Sequence, residues 1–108
     1  MPATFLHDGS TVDFVPADDV PAGSIVVLGE LVGISKFFVA AGQTGGLSVR
    51  GVFDVLKDPS TNIEVGTRLY WSTASWHVVK TSGGHPLLGK AIRPALPGSS
   101  IVRVLLTQ

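Results

Sequence analysis

The sequence has no cysteine, little charge and no long apolar run. Without cysteine there are no disulfides and no thiolate metal sites, so stability rests on packing and hydrogen bonds. Charged residues make up 15% of the chain, against about a quarter in an average soluble domain. Eight basic and eight acidic residues cancel, and the basic ones are spread singly from Lys36 to Arg103. Neutralising a phosphate backbone needs clustered excess Lys and Arg, so no nucleic-acid partner is expected. No apolar segment approaches the ~20 residues that span a bilayer, so no membrane partner is expected either. The start, MPATFLHDGST, lacks a basic segment followed by an apolar core and does not read as a signal peptide. A soluble protein made in a cytoplasm is expected.

What the chain does have is apolar surface. Hydrophobic residues make up 44% of its 108 positions, and 108 residues suffice for one domain with a real core. A small domain this poor in charge has trouble covering its exterior with polar groups. That favours self-association or a partner surface.

Glycine, 13 residues in all, punctuates the apolar runs before any can form a globular helix. The stretch Gly23–Lys57 organises the rest: three β-branched runs between glycines, with five charged residues (Glu30, Lys36, Arg50, Asp54, Lys57). It reads as a β-meander. Thr11–Val15 alternates with period two as a first strand that Pro16 stops. The Gly23–Ile34 hairpin follows, and Leu47–Leu56 reads as a strand with a bulge at Gly51. Arg68–Trp71 and Trp76–Lys80 form a hairpin, and Leu87–Arg93 and Ile101–Leu106 complete the set. Pro21-Ala22-Gly23, Ala40-Ala41-Gly42, Glu64-Val65-Gly66 and Leu96-Pro97-Gly98 each follow an apolar residue and precede a strand, at irregular spacing. They read as recurring turn grammar and not a solenoid. The expected fold is all-β, a small barrel or sandwich of about eight short, mostly antiparallel strands. Residues 1–10 form an extended N-terminal arm, and 11–108 a single β domain.

No chemistry-bearing motif stands out. His7, His77 and His85 have no ligand spacing, the Asp18-Asp19 pair sits in a Pro/Gly turn, and no serine occupies a GxSxG elbow. Ala40–Gly46 lacks the register of a phosphate loop. No catalytic residue, metal or cofactor is expected, and the protein is not read as an enzyme. The residues expected to meet another chain are the large apolar ones without an obvious internal partner. Phe5 lies on the arm. Phe37 and Phe38 are adjacent, so in a strand they face opposite sides and only one enters the core. Trp76 stands at the hairpin, and Val102 and Val104 lie on a terminal strand apolar on both faces. A second reading makes Tyr70, Trp71 and Trp76 a carbohydrate-stacking platform on a free-standing β-barrel module.

Taken in order, Val12–Pro16, Val20–Val27, Leu31–Ser35, Ala40–Gly42, Leu47–Lys57, Leu69–Trp71, Leu88–Ala91 and Val102–Leu106 resemble the small capsid cement, or decoration, proteins of tailed phages. The pattern AxGxxxxLxVxGVFDxxK, from Ala40 to Lys57, is the densest part of the match. The resemblance implies an all-β structural protein that binds the outside of a capsid and cements neighbouring major capsid subunits. It implies self-association as a homodimer or homotrimer, and a place on the virion capsid exterior after synthesis in the bacterial host cytoplasm. It carries no catalytic residue and no cofactor.

Overall fold

The computed structural model describes residues 2–6 and 9–107. It is all-β, with nine short strands and, among the described residues, no helix. In chain order they are β1 (Thr11–Phe14), β2 (Ser24–Leu28), β3 (Leu31–Ser35), β4 (Gly45–Ser48), β5 (Val52–Leu56), β6 (Arg68–Ser72), β7 (His77–Val79), β8 (Leu87–Ala91) and β9 (Ile101–Leu106). They form a four-stranded sheet in the order β1-β4-β3-β2 and a five-stranded sheet in the order β5-β9-β8-β6-β7. All strand pairs are antiparallel; one isolated parallel bridge, Lys57 to Val78, draws β7 towards β5.

The two sheets share one topology. In each half the first strand pairs with the last, the last with the third and the third with the second; β7 is an addition to the second half. The four glycine turns mark the correspondence. In each, the residue two before the glycine accepts a hydrogen bond from the one after it: Ser24 N to Pro21 O (3.2 Å), Gln43 N to Ala40 O (3.0 Å), Thr67 N to Glu64 O (3.1 Å) and Ser99 N to Leu96 O (3.1 Å). The glycines at the third position have φ of 85°, 78°, 84° and 98°. That backbone conformation suits glycine and strains other residues.

Each glycine N–H then ties its turn to a distant segment. Gly23 donates to Ser35 O (2.7 Å) and Gly66 to Ala91 O (2.7 Å), while Gly42 donates to Pro16 O (2.9 Å) and Gly98 to Pro59 O (2.6 Å). The residues just ahead of the turns pair in two antiparallel bridges, Val20 with Val39 and Ile63 with Ala95. The spacing Pro16–Val20–Gly23 equals Pro59–Ile63–Gly66, and Ser35–Val39–Gly42 equals Ala91–Ala95–Gly98. The sequence's turn grammar is therefore the trace of one half-domain plan used twice.

The main core lies between the sheets. Val32 and Ile34 of β3 pack with Val55, Leu69, Trp71, Val78, Leu88, Val102, Val104 and Leu106 of the five-stranded sheet. A second cluster of Phe14, Val39 and Leu47, with Val12, Val20 and Val26 around it, packs with the other face of the four-stranded sheet. The β2–β4 part of the apolar stretch Gly23–Lys57 is thus covered on one side by the second sheet, to which its β5 part belongs, and on the other by the Val20–Val39 bridge segment.

Two strand assignments change. Leu47–Leu56 is not one bulged strand: β4 and β5 belong to different sheets, and the chain crosses between them at Gly51, with φ 122°. The change of alternation phase records a change of sheet. Lys36–Phe38 is a bend, not strand, so the rule that neighbours face opposite sides does not apply there.

Sheet packing is tightest where glycine removes a side chain. A Cβ at Gly89, in the middle of β8, would land on the carbonyl oxygen of Leu105 in β9. Gly89→Ala should therefore lower stability by about 3 kcal/mol, out of the ~5–15 kcal/mol typical of a domain. Gly42→Ala, with open space around its Cβ, should lose only the left-handed backbone term of about 1–2 kcal/mol. Urea unfolding of both variants checks the order; equal losses would mean that backbone crowding between β8 and β9 is not limiting.

Candidate interaction surface

Exposed apolar groups sort the expected contact residues into two sets. Phe5 is 83% exposed, Phe37 76%, Phe38 59% and Trp76 64%. Val102 and Val104 are 2% and 0% exposed, so neither can touch another chain. They are corrected to core: β9 is an inner strand between β5 and β8, and its even-numbered residues point at the opposite sheet. Ile101 and Leu105 take the outward face instead.

Phe37 and Phe38 both remain outside, against the expectation that one enters the core. Their bend is held from below by Ser35, fully buried, whose hydroxyl donates to the Phe37 carbonyl at 2.7 Å. Val39, immediately after, is fixed by reciprocal backbone hydrogen bonds with Val20 (2.8 and 2.9 Å). Two phenyl rings are thereby presented between two anchored points. Anchoring the backbone that carries exposed rings lowers the entropy lost when a partner covers them.

The tryptophans are held differently from a cross-strand pair. In the β6–β7 register Trp71 faces Val78, and Trp76 lies in the turn before β7. Trp71 is buried, and the rings still meet edge to face, with centroids 6.2 Å apart and planes at 79°. Trp76 has φ 58°, a left-handed conformation that a bulky residue seldom adopts. Its N–H donates to the Ser72 carbonyl (2.9 Å), and the Ser75 N–H to the Ser72 hydroxyl (3.2 Å), which closes the turn around it.

Trp76 stands beside an apolar groove between β2 and β5, of about 270 Å³, lined by Ile25, Ile34, Phe53, Val55 and Trp71 among others. Tyr70 lines a different depression, with Glu30, His85 and Leu87. Adjacent strand residues point to opposite faces, so Tyr70, Trp71 and Trp76 do not form one stacking platform. Sequence reasoning passed over this groove because its walls come from strands in different sheets.

Charge is sparse here. On the outer face of the β5–β9 pair, Asp54 and Arg103 are directly opposite and joined by two hydrogen bonds, Nε to Oδ1 at 3.0 Å and a guanidinium nitrogen to Oδ2 at 3.3 Å. The hydrogen bond from Arg103 holds the Asp54 carboxyl below its ordinary value of 3.8. Hydrogen bonds from the Ser60 N–H (2.9 Å) and hydroxyl (2.8 Å) do the same for Asp58. Lys57 was read only as one of the meander's few charges, but it is 3% exposed. Its Nζ donates to the carbonyls of Asp58 (3.1 Å) and Thr61 (2.6 Å), which pins the loop after β5.

Among the described residues, no group of three or more His, Cys, Asp and Glu is placed to hold a metal ion. His7 lies outside the described residues, and His77 and His85 sit in separate places, His77 with Nδ1 3.1 Å from the Val78 carbonyl.

Large apolar groups thus stand exposed on a small β domain of zero formal net charge. The chain belongs to the phage cement protein family, whose sequence pattern matches residues 6–106. It is thus of a structural, capsid-associated class from bacteriophage. No curated protein and no solved structure matches it.

Two outcomes follow for stability. Lys57→Met should take the Nζ donor from the Thr61 carbonyl, while the Asp58 carbonyl keeps the Thr61 N–H (3.0 Å), and lower unfolding stability by about 1–2 kcal/mol, measured in urea; an unchanged midpoint would show that the loop does not depend on Lys57. Asp54 and Asp58 have folded pKa values below their unfolded ones, so their contribution is complete above about pH 4. It fades as the pH falls through the depressed folded values. Urea midpoints should drop in that acid window, and by less in Asp54→Asn.

Proposed function

We propose that this protein binds the outside of a tailed-phage capsid and cements neighbouring major capsid subunits, stabilising the mature shell. The observation that carries this reading is the Phe37-Phe38 bend, together with membership of the cement family. Two large aromatic rings held outward on a buried serine have no role in the domain's own packing. Aromatic anchors of this kind dominate the energetics of protein interfaces.

The physical logic of cementing fits a domain of this kind. A clip that binds the assembled lattice, and not the loose subunits, stabilises the lattice by mass action. If several copies act as one homodimer or homotrimer, each contact can be modest, because the linked contacts gain from effective concentration. Neutral net charge suits a contact made through apolar anchors and backbone pairing, and neither a nucleic acid nor a membrane is part of the reading. No catalysis is assigned, in keeping with a structural family.

Mixing the protein with expanded and mature shells of its own phage tests this directly. Saturable binding to the mature shell and a raised shell melting temperature are expected. Phe37→Ala/Phe38→Ala should weaken binding by about 2 kcal/mol or more, some thirtyfold, with the protein's own unfolding unchanged. No association with any shell state would overturn the reading.

A further inference from the structure

The arm and the groove are complementary, and they lie at opposite edges of the same sheet. Pro2–Leu6 carries no charge, joins no strand or bridge, and leaves Phe5 and Leu6 almost fully exposed. Where the arm meets the body, the Ser10 carbonyl accepts from the Val49 N–H at 3.0 Å. From there the chain enters β1, at one edge of the four-stranded sheet; β2 is the other edge.

The groove lies beside the start of β2, at Ser24 and Ile25. One wall is the β2–β3 hairpin with Ile25 and Ile34, the other is Phe53 and Val55 of β5, and Trp71 and Trp76 complete the lining. β5 is likewise the edge of its own sheet, partly occupied at its far end by the Lys57–Val78 bridge. The groove is therefore flanked by two open strand edges. Ser24–Leu28, SIVVL, is uncharged and β-branched, and an edge of that kind offers its backbone groups to any extended chain that reaches it. A cavity of about 150 Å³ takes a benzene ring. The groove's volume of about 270 Å³ has room for a phenyl ring and part of a neighbouring aliphatic side chain. Asp54 is the one charged residue in its lining, and it is engaged by Arg103.

We propose that the groove between β2 and β5 receives the N-terminal arm of a second copy of this chain, Phe5 entering beside Trp76 and the arm backbone pairing with β2. Three features single out this occupant. The arm supplies uncharged apolar side chains, which an almost uncharged groove can desolvate without burying an unpaired charge. It joins no strand or bridge of its own, so its backbone is available to add to a sheet edge. The strand it leads into, β1, lies three strand spacings, about 14 Å, from the groove edge of its own sheet. The contact joins different patches on the two partners. It closes either as a reciprocal exchange of arms in a two-fold dimer or head to tail as a ring, when the rotation between copies permits. The inference deepens the self-association in the proposed function and is independent of where the protein meets a shell.

The chain has no cysteine, so introduced ones report cleanly. Thr4→Cys and Leu56→Cys, both at exposed positions, are made in separate full-length chains, mixed and oxidised. A disulfide-linked pair of unlike chains is expected, in at least about tenfold excess over the same mixture made in a Phe5→Ala/Leu6→Ala background. Both tryptophans border the groove, so their emission should shift to the red in Phe5→Ala/Leu6→Ala. Adding the peptide PATFLHDG should reverse that shift. Trp76→Gly keeps the left-handed turn without strain but loses the edge-to-face contact with Trp71, so with folding verified by urea unfolding it should lose the cross-link. A disulfide formed within single chains of the Thr4→Cys/Leu56→Cys double variant would overturn the proposal. So would a monomer that forms no cross-link at its highest soluble concentration and whose emission ignores both the arm variant and the peptide. Shell binding that survives in Phe5→Ala/Leu6→Ala would leave the capsid reading standing, whichever way the arm test falls.

Discussion

Two bridged pairs of turns hold this domain together. In each half, a short antiparallel bridge (Val20 to Val39, Ile63 to Ala95) sets two glycine turns side by side, and each glycine N–H is spent on a carbonyl elsewhere in that half. The strands leaving those turns are only four to six residues long, too short to be stable as isolated hairpins. Their order β1-β4-β3-β2, repeated as β5-β9-β8-β6, follows from where the turns release them. Backbone hydrogen bonding fixes the frame, and the side chains of Val32, Leu69, Leu88 and Val104 fill the space that the frame encloses.

The same frame creates the surfaces. Two sheets built on one plan leave β2 and β5 as neighbouring edges, and the extra hairpin with β7 brings Trp76 against them. The Val20–Val39 bridge that covers the second cluster also holds the Phe37-Phe38 bend outward. Neither surface requires a charged or catalytic group. For a structural protein of a capsid this is an economical arrangement: bridges that stabilise the fold also position the rings available to partners.

Much of the fold was legible in the sequence. Period-two alternation and glycine spacing located the strands, and the hairpin Ser24–Ser35 follows from Gly29, whose φ of 63° at the first position of a two-residue turn suits the twist of paired strands. The ordered motifs also carried the family. The contact surface was legible only in part. Phe5, Phe37, Phe38 and Trp76 are exposed, whereas Val102 and Val104, which sequence alone cannot distinguish from Ile101 and Leu105, are core. Lys57 counts in the sequence only among the few charges of Gly23–Lys57, yet it is buried, because the carbonyls that satisfy it come from a loop whose path no local pattern reveals.

By itself, then, the sequence determined that this is an all-β chain, where its turns fall, and to which family it belongs. Those features are set by residues close together: a glycine in a left-handed turn, a β-branched run, an ordered set of short motifs. Tertiary structure alone decided that Leu47 and Leu56 lie in different sheets, which face of β9 is covered, and that β2, β5 and Trp76 enclose a groove. Alternation gives a strand two faces and two edges without saying what lies against them. That depends on segments distant in the chain, and the partners appear only when the two halves pack.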